Sequence, residues 1–100
     1  MNLGYNARMT INCNIFNCAR KPDTYLYLRA GMRPEELPEA LRTLLGDLQQ
    51  FLTLELSESS KLAQVNAGDV LDALNDQGYF LQLPPAERLR DQAPGAGFIQ

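Results

Sequence analysis

Between Asn66 and Pro85 the chain changes hydrophobic period from helical to alternating, and residues suited to each boundary stand at the changes. Asn66 suits a helix N-cap, because its side-chain oxygen can accept an unpaired backbone N–H of the first turn. Asp69, three residues on, sets a carboxylate at the positive end of the helix dipole. Val65 and Val70 have hydrophobic-staple spacing. Val70, Leu71 and Leu74 form an apolar stripe with Ala67 beside it, while Asp72, Asn75 and Asp76 lie off it. Gly78 supplies the left-handed residue that ends a helix. Tyr79 to Leu83 then alternates as a strand, and Pro84 and Pro85 cannot extend a ladder.

Upstream, Ile11 to Cys18 predicts a first strand and Thr24 to Leu28 a second, of β-formers in alternation. The turn Ala19-Arg20-Lys21-Pro22-Asp23 between them is short enough for an antiparallel hairpin. Gly31 ends the second strand, and Arg33 to Leu37 is an acidic connector. Pro38 fits the first position of a helix, where its missing N–H costs nothing. Leu41, Leu44, Leu45 and Leu48 follow at helical spacing, and Gly46 predicts a stop near Leu45. Gln49 to Leu56 predicts the third strand and Ser57 to Ser60 a polar loop. Ala86 to Gln92 suits a short last helix with Leu89 inward.

The element order is therefore ββαβαβ. The expected fold class is α/β (α+β), a single-domain α/β/α sandwich. Its four-stranded sheet starts in an antiparallel hairpin, with a short C-terminal helix. Residues 1–10 read as a disordered or extension segment, 11–92 as the domain and 93–100 as a flexible tail. Alternation puts Ile15, Leu26, Leu28, Leu52, Leu54, Leu81 and Leu83 on one sheet face. It puts Phe16, Tyr25, Tyr27, Phe51, Thr53, Phe80 and Gln82 on the other. Neither face is polar enough to meet water. Either helices cover both faces, or one face is a binding platform.

Several kinds of chemistry are excluded or disfavoured. The chain has no histidine, which removes His-based triads and most zinc or iron sites. No glycine-rich phosphate loop occurs. Asp69 and Asp72 stand at helical spacing, but helix capping accounts for Asp69. Cys13 and Cys18 are spaced C-x4-C, unlike redox or zinc motifs, and read as free thiols. Arg20 and Lys21 beside Cys18 leave two readings of it: a thiol activated by nearby cations, or an inert thiol at a strand end. The expectation is no cofactor, no metal and no catalytic residue. No apolar run approaches the ~18 residues of a membrane span and no signal peptide is recognisable, so a cytoplasmic location away from membranes is expected. The net charge of −3 argues against broad attraction to nucleic acid.

The C-terminal run Lys61-Leu62-Ala63, Val70, Leu74 and Gln77-Gly78-Tyr79-Phe80-Leu81-Gln82-Leu83-Pro84-Pro85 resembles the YcgL family of small bacterial proteins. So do Cys13, Ile15-Phe16, Arg20-Lys21, Asp23-Thr24-Tyr25-Leu26-Tyr27 and the Pro38-Glu39 that opens the first helix. The resemblance spans about Cys13 to Arg90. It implies an α/β/α sandwich in cytosolic gammaproteobacterial proteins and no known activity. Family genes often neighbour one for ribonuclease D, an association with RNA metabolism. Asn17 stands where the resemblance leads one to expect an arginine, which weakens a basic site using that position.

Two functional readings follow. The chain is expected to be a non-enzymatic protein-interaction module with an unknown protein partner. The alternative is an RNA-binding accessory protein, in which Arg20 and Lys21 contact phosphates while Tyr25, Tyr27 and Phe80 stack bases. Against that alternative, the same aromatics read as core beneath a helix, with the basic turn merely solvated. Gln82, polar within an apolar strand, either bonds a neighbouring strand or loop, or lines a pocket with Tyr25 and Tyr27. With Lys61 ahead of the capped helix, these residues make up the candidate site.

Overall fold

A computed structural model of the chain describes residues 10–62 and 64–84. The elements run β1 (Thr10–Cys18), β2 (Tyr25–Arg29), a single 3-10 turn (Pro34–Glu36), α1 (Glu39–Leu45), β3 (Leu48–Ser57), α2 (Ala67–Asp76) and β4 (Tyr79–Gln82). The ββαβαβ order stands as expected. The helix expected over 86–92, the tail, and residues 1–9 fall outside the described residues.

The strands form one sheet in the order β3-β1-β2-β4, and every neighbouring pair is antiparallel. α2 packs on one face and α1 on the other, which makes three layers. Against α2 lie Ile11, Cys13, Ile15, Tyr27 and Leu56. Against α1 lie Phe16, Cys18, Leu26 and Leu28, with Leu37, Leu45 and the half-buried Leu41.

The local chemistry of α2 is as its sequence predicts. Asn66 Oδ1 accepts the Asp69 N–H at 3.1 Å, and Val70, Leu71 and Leu74 are buried on one stripe. Gly78, at φ 93°, ends the helix and turns the chain directly into β4. α1 ends at Gly46 as expected, inside its leucine pattern. Pro38 is its N-cap rather than its first residue, and Leu45 its last. Leu48 belongs to β3, and Leu44 faces solvent. Before it, the backbone N–H and Nε of Arg33 both donate to Glu36 Oε2, at 3.0 and 3.3 Å. These bonds, the backbone one first, hold the Glu36 carboxyl below its ordinary range.

The strand faces depart from simple alternation in two places. The hairpin register pairs Ile15 with Tyr27 and Phe16 with Leu26. Ile15 therefore joins the tyrosine face, and Phe16 the Leu26/Leu28 face, the reverse of expectation. A six-residue loop, 19–24, does not fix register, and a one-residue slip exchanges faces. In the β1–β3 ladder, Ile15 pairs with Leu52 but Phe16 with Gln50. Phe51 is thus the extra residue of a β-bulge. Leu52 and Leu54 face the tyrosines rather than Leu26, and the bulge brings Phe51 to the same side.

Away from α1, the opposite face carries a polar ladder instead of a helix. Gln50 Nε2 donates to Asn14 Oδ1 at 3.0 Å and Thr53 Oγ1 donates to the same oxygen at 3.0 Å. This explains how an uncovered part of that face tolerates water. The Thr24 hydroxyl is buried without a hydrogen-bond partner, and nothing in the structure explains it.

Candidate binding groove on the aromatic face

The tyrosine face is divided between a covered end and an open one. α2 seals Tyr27, which is 5% exposed, together with Cys13 and Leu56. Beyond α2, Ile15, Tyr25, Phe51, Leu52, Leu54, Leu62 and Gln82 surround a groove of about 350 Å³. Lys61 stands on its lining and is the one charged side chain there among the described residues.

Four strands and the loop before α2 shape this groove. The β2–β4 register sets Tyr25 opposite Gln82 and Tyr27 opposite Phe80. Tyr27 meets Phe80 edge-on, with centroids 5.8 Å apart at 81°. The Tyr27 hydroxyl donates to Gln82 Oε1 at 2.8 Å. Both readings of Gln82 are therefore combined: it bonds the neighbouring strand and also lines the hollow with Tyr25 and Tyr27. The bulge turns Phe51 across β1 toward Tyr25, with centroids 5.7 Å apart at 54°. Phe51 and Leu52 nevertheless remain 51% and 45% exposed.

The basic turn lies elsewhere. Arg20 reaches α1, not the tyrosines. Its Nη1 donates to the Thr43 carbonyl at 3.2 Å, and its backbone N–H to Leu45 O at 2.9 Å. It thereby occupies carbonyls at the negative end of α1, a structural duty for the cation. Arg20 also lines a separate hollow of about 530 Å³ with Glu35, Arg42 and Asp47, where charges of both signs are mixed. Lys21 sits half-buried in the turn, its carbonyl accepting the Thr24 N–H at 3.1 Å, and it does not line the groove. Of the seven candidate residues, the structure brings Lys61, Tyr25, Tyr27 and Gln82 to one place. Phe80 packs against Tyr27 beside the α2 core, and Arg20 and Lys21 stand apart. The sequence reading placed Phe51 on the tyrosine face without including it in the site, and it placed Ile15, Leu52 and Leu54 on the other face, because the bulge and register that bring them together are not local properties.

Cys13 and Cys18 are free, buried thiols, one in each core. Burial pushes both thiols above their ordinary value of 9.0. Of the two readings of Cys18, burial supports the inert thiol at a strand end over activation by Arg20 and Lys21, and Arg20 is turned toward α1. Burial likewise raises Tyr27, aided by charge on Cys13. The folded chain holds these protons where the unfolded chain loses them. The associated stability is therefore intact below the ordinary thiol value and is lost as pH rises above it. Urea unfolding midpoints should hold steady below the ordinary thiol value of 9.0 and fall as pH is raised above it. Both thiols should react far more slowly with a disulfide reagent in the native protein than in urea.

Among the described residues, no helix is long and apolar enough to cross a membrane, and no three His, Cys, Asp or Glu side chains group as a metal site. Comparison with known proteins matches the YcgL domain family model over residues 13–85. A YcgL domain-containing protein of Cellvibrio japonicus is 38% identical over 85 residues, covering 85% of this chain and 87% of that protein. Another, of Psychrobacter sp., is 34% identical over 93 residues, covering 83% and 88%. A third, of Pseudomonas putida, is 43% identical over 75 residues, covering 75% and 77%. The match takes in β1 from Cys13 through β4, and so every strand and helix that builds the groove: the chain belongs to the YcgL domain family.

Proposed function

We propose that the chain is a non-enzymatic protein-interaction module of the cytoplasm. In this reading the groove seats a large apolar side chain of a partner protein, and Lys61 meets a carboxylate beside it. One observation carries the proposal: exposed Phe51 and Leu52 stand with Tyr25 over a partly enclosed apolar hollow whose lining includes a lysine. Aromatic anchors in a pocket with a polar rim are the usual energetic centre of a protein interface. The net charge of −3 disfavours a polyanion, which requires many cations, whereas a single carboxylate requires only Lys61. The RNA alternative draws less support. Tyr27 is sealed beneath α2, and Arg20 is engaged at α1 on the far side of the sheet.

The test is co-purification from native lysate, followed by titration of the recovered protein, once purified, against the chain. The expected result is a partner whose affinity drops at least tenfold with Phe51→Ala and with Lys61→Glu, but not with Lys21→Glu. Binding insensitive to both groove substitutions would overturn the proposal. Steep salt dependence with mixed single-stranded RNA, lost in Lys21→Glu, would favour the alternative.

A further inference from the structure

β3 is an outer strand of the sheet, and among the described residues its far edge has no neighbouring strand. Ten residues long, it reads LQQFLTLELS, with one charge and neither proline nor lysine. Outer strands ordinarily carry such residues to prevent pairing with another chain. The bulge at Phe51 interrupts the first half of the edge. The second half, from Leu52 onward, runs in unbroken register with β1. It therefore presents a regular row of backbone donors and acceptors as far as Ser57, whose own N–H and carbonyl are taken by Ser60.

We infer that this edge pairs antiparallel with the β3 of a second copy of the chain, with Leu54 on the two-fold axis. The inference concerns the backbone edge, and it stands whether or not the groove takes another protein. Directly opposed residues of an antiparallel pair share a sheet face, which leaves few self-complementary registers. Centring on Leu54 sets Leu52 against Leu56 on the groove face and Thr53 against Glu55 on the polar face. Centring on Glu55 would oppose two like charges, which is destabilising. Centring on Thr53 would bring Phe51, at the bulge, against Glu55. The Leu54 register removes Leu52 from water and opposes no like charges. It joins two four-stranded sheets into one, with both α2 helices on one side and the two grooves adjoining across the axis.

Pairing through one strand is smaller than a standard interface of about 800 Å² per partner, so dimerisation should depend on concentration. Sedimentation equilibrium of the full chain should show a mass rising from 11.2 kDa toward twice that value. Leu52→Lys, which adds the missing edge charge at an exposed position, should hold it at the monomer value. Register is tested with two single variants at exposed positions, Thr53→Cys and Glu55→Cys. Mixed and mildly oxidised, they should form severalfold more disulfide-linked dimer than either variant alone. A wild-type mass that stays at 11.2 kDa across the concentration range would overturn the inference. So would cross-linking no greater in the mixture than in the separate variants.

Discussion

Leu26→Ala should lower stability by about 3–4 kcal/mol, the range for emptying a leucine site in a packed core. Leu26 is fully buried at the centre of the sheet, opposite Phe16 on β1 and Leu81 on β4. It lies on the α1 side, where Leu28, Leu37 and Leu45 are already in place, so collapse into the space would require moving two strands. For a domain this size the thermal midpoint should fall by about 15–25 °C. The loss is a large share of the 5–15 kcal/mol typical of a domain. Leu44→Ala removes an exposed leucine from the neighbouring helix and should change stability by less than about 0.5 kcal/mol. Thermal and urea unfolding of the two variants would decide the matter. Similar losses in both would contradict the assignment of the core.

Gly46→Ala should cost about 3 kcal/mol, for two separable reasons. Gly46 has φ 74° and ψ −154°, a region nearly closed to residues with a Cβ and worth roughly 1–3 kcal/mol of strain. A Cβ there would also come within 2.6 Å of Arg20 Cγ, an overpacking cost of similar size. The two parts can be told apart. Combining Gly46→Ala with Arg20→Ala should recover the steric part and leave the backbone part. Full recovery in the double variant would mean that the backbone is unstrained, and no recovery would mean that Arg20 does not lie against this glycine. The cycle also tests whether Arg20 is occupied with α1 or available to a ligand.

The two glycines that end helices show how much local sequence can carry. Gly46 and Gly78 both stop a helix with positive φ, and both were legible as stops, Gly78 after an apolar stripe and Gly46 as a break within a leucine pattern. The Asn66 cap was legible for the same reason, since its partner is three residues away. The leucines of α1 were less legible. Gly46 marked the end of α1 at Leu45, as observed, but spacing alone also counted Leu44 on the apolar stripe, and Leu44 stands in solvent. Within the candidate groove, Tyr25, Tyr27, Lys61 and Gln82 were identifiable as residues in need of explanation. Phe51 was legible as sharing the face of Tyr25, but its ring contact with Tyr25 was not, because only the β1–β3 pairing reveals the bulge.

The sequence by itself determined the order of the strands and α-helices among the described residues, the Asn66 cap, the two glycine stops, the hairpin, and the absence of histidine chemistry. These depend on interactions within a few residues or on composition. Tertiary structure alone decided the strand order β3-β1-β2-β4, the faces to which Ile15, Phe16, Leu52 and Leu54 belong, and the separation of Arg20 from the tyrosines. The physical reason is register. A strand's side chains alternate with period two, so one bulge or a one-residue slip moves a whole set of residues to the other face. Register is selected by how both faces pack against α1 and α2 at once.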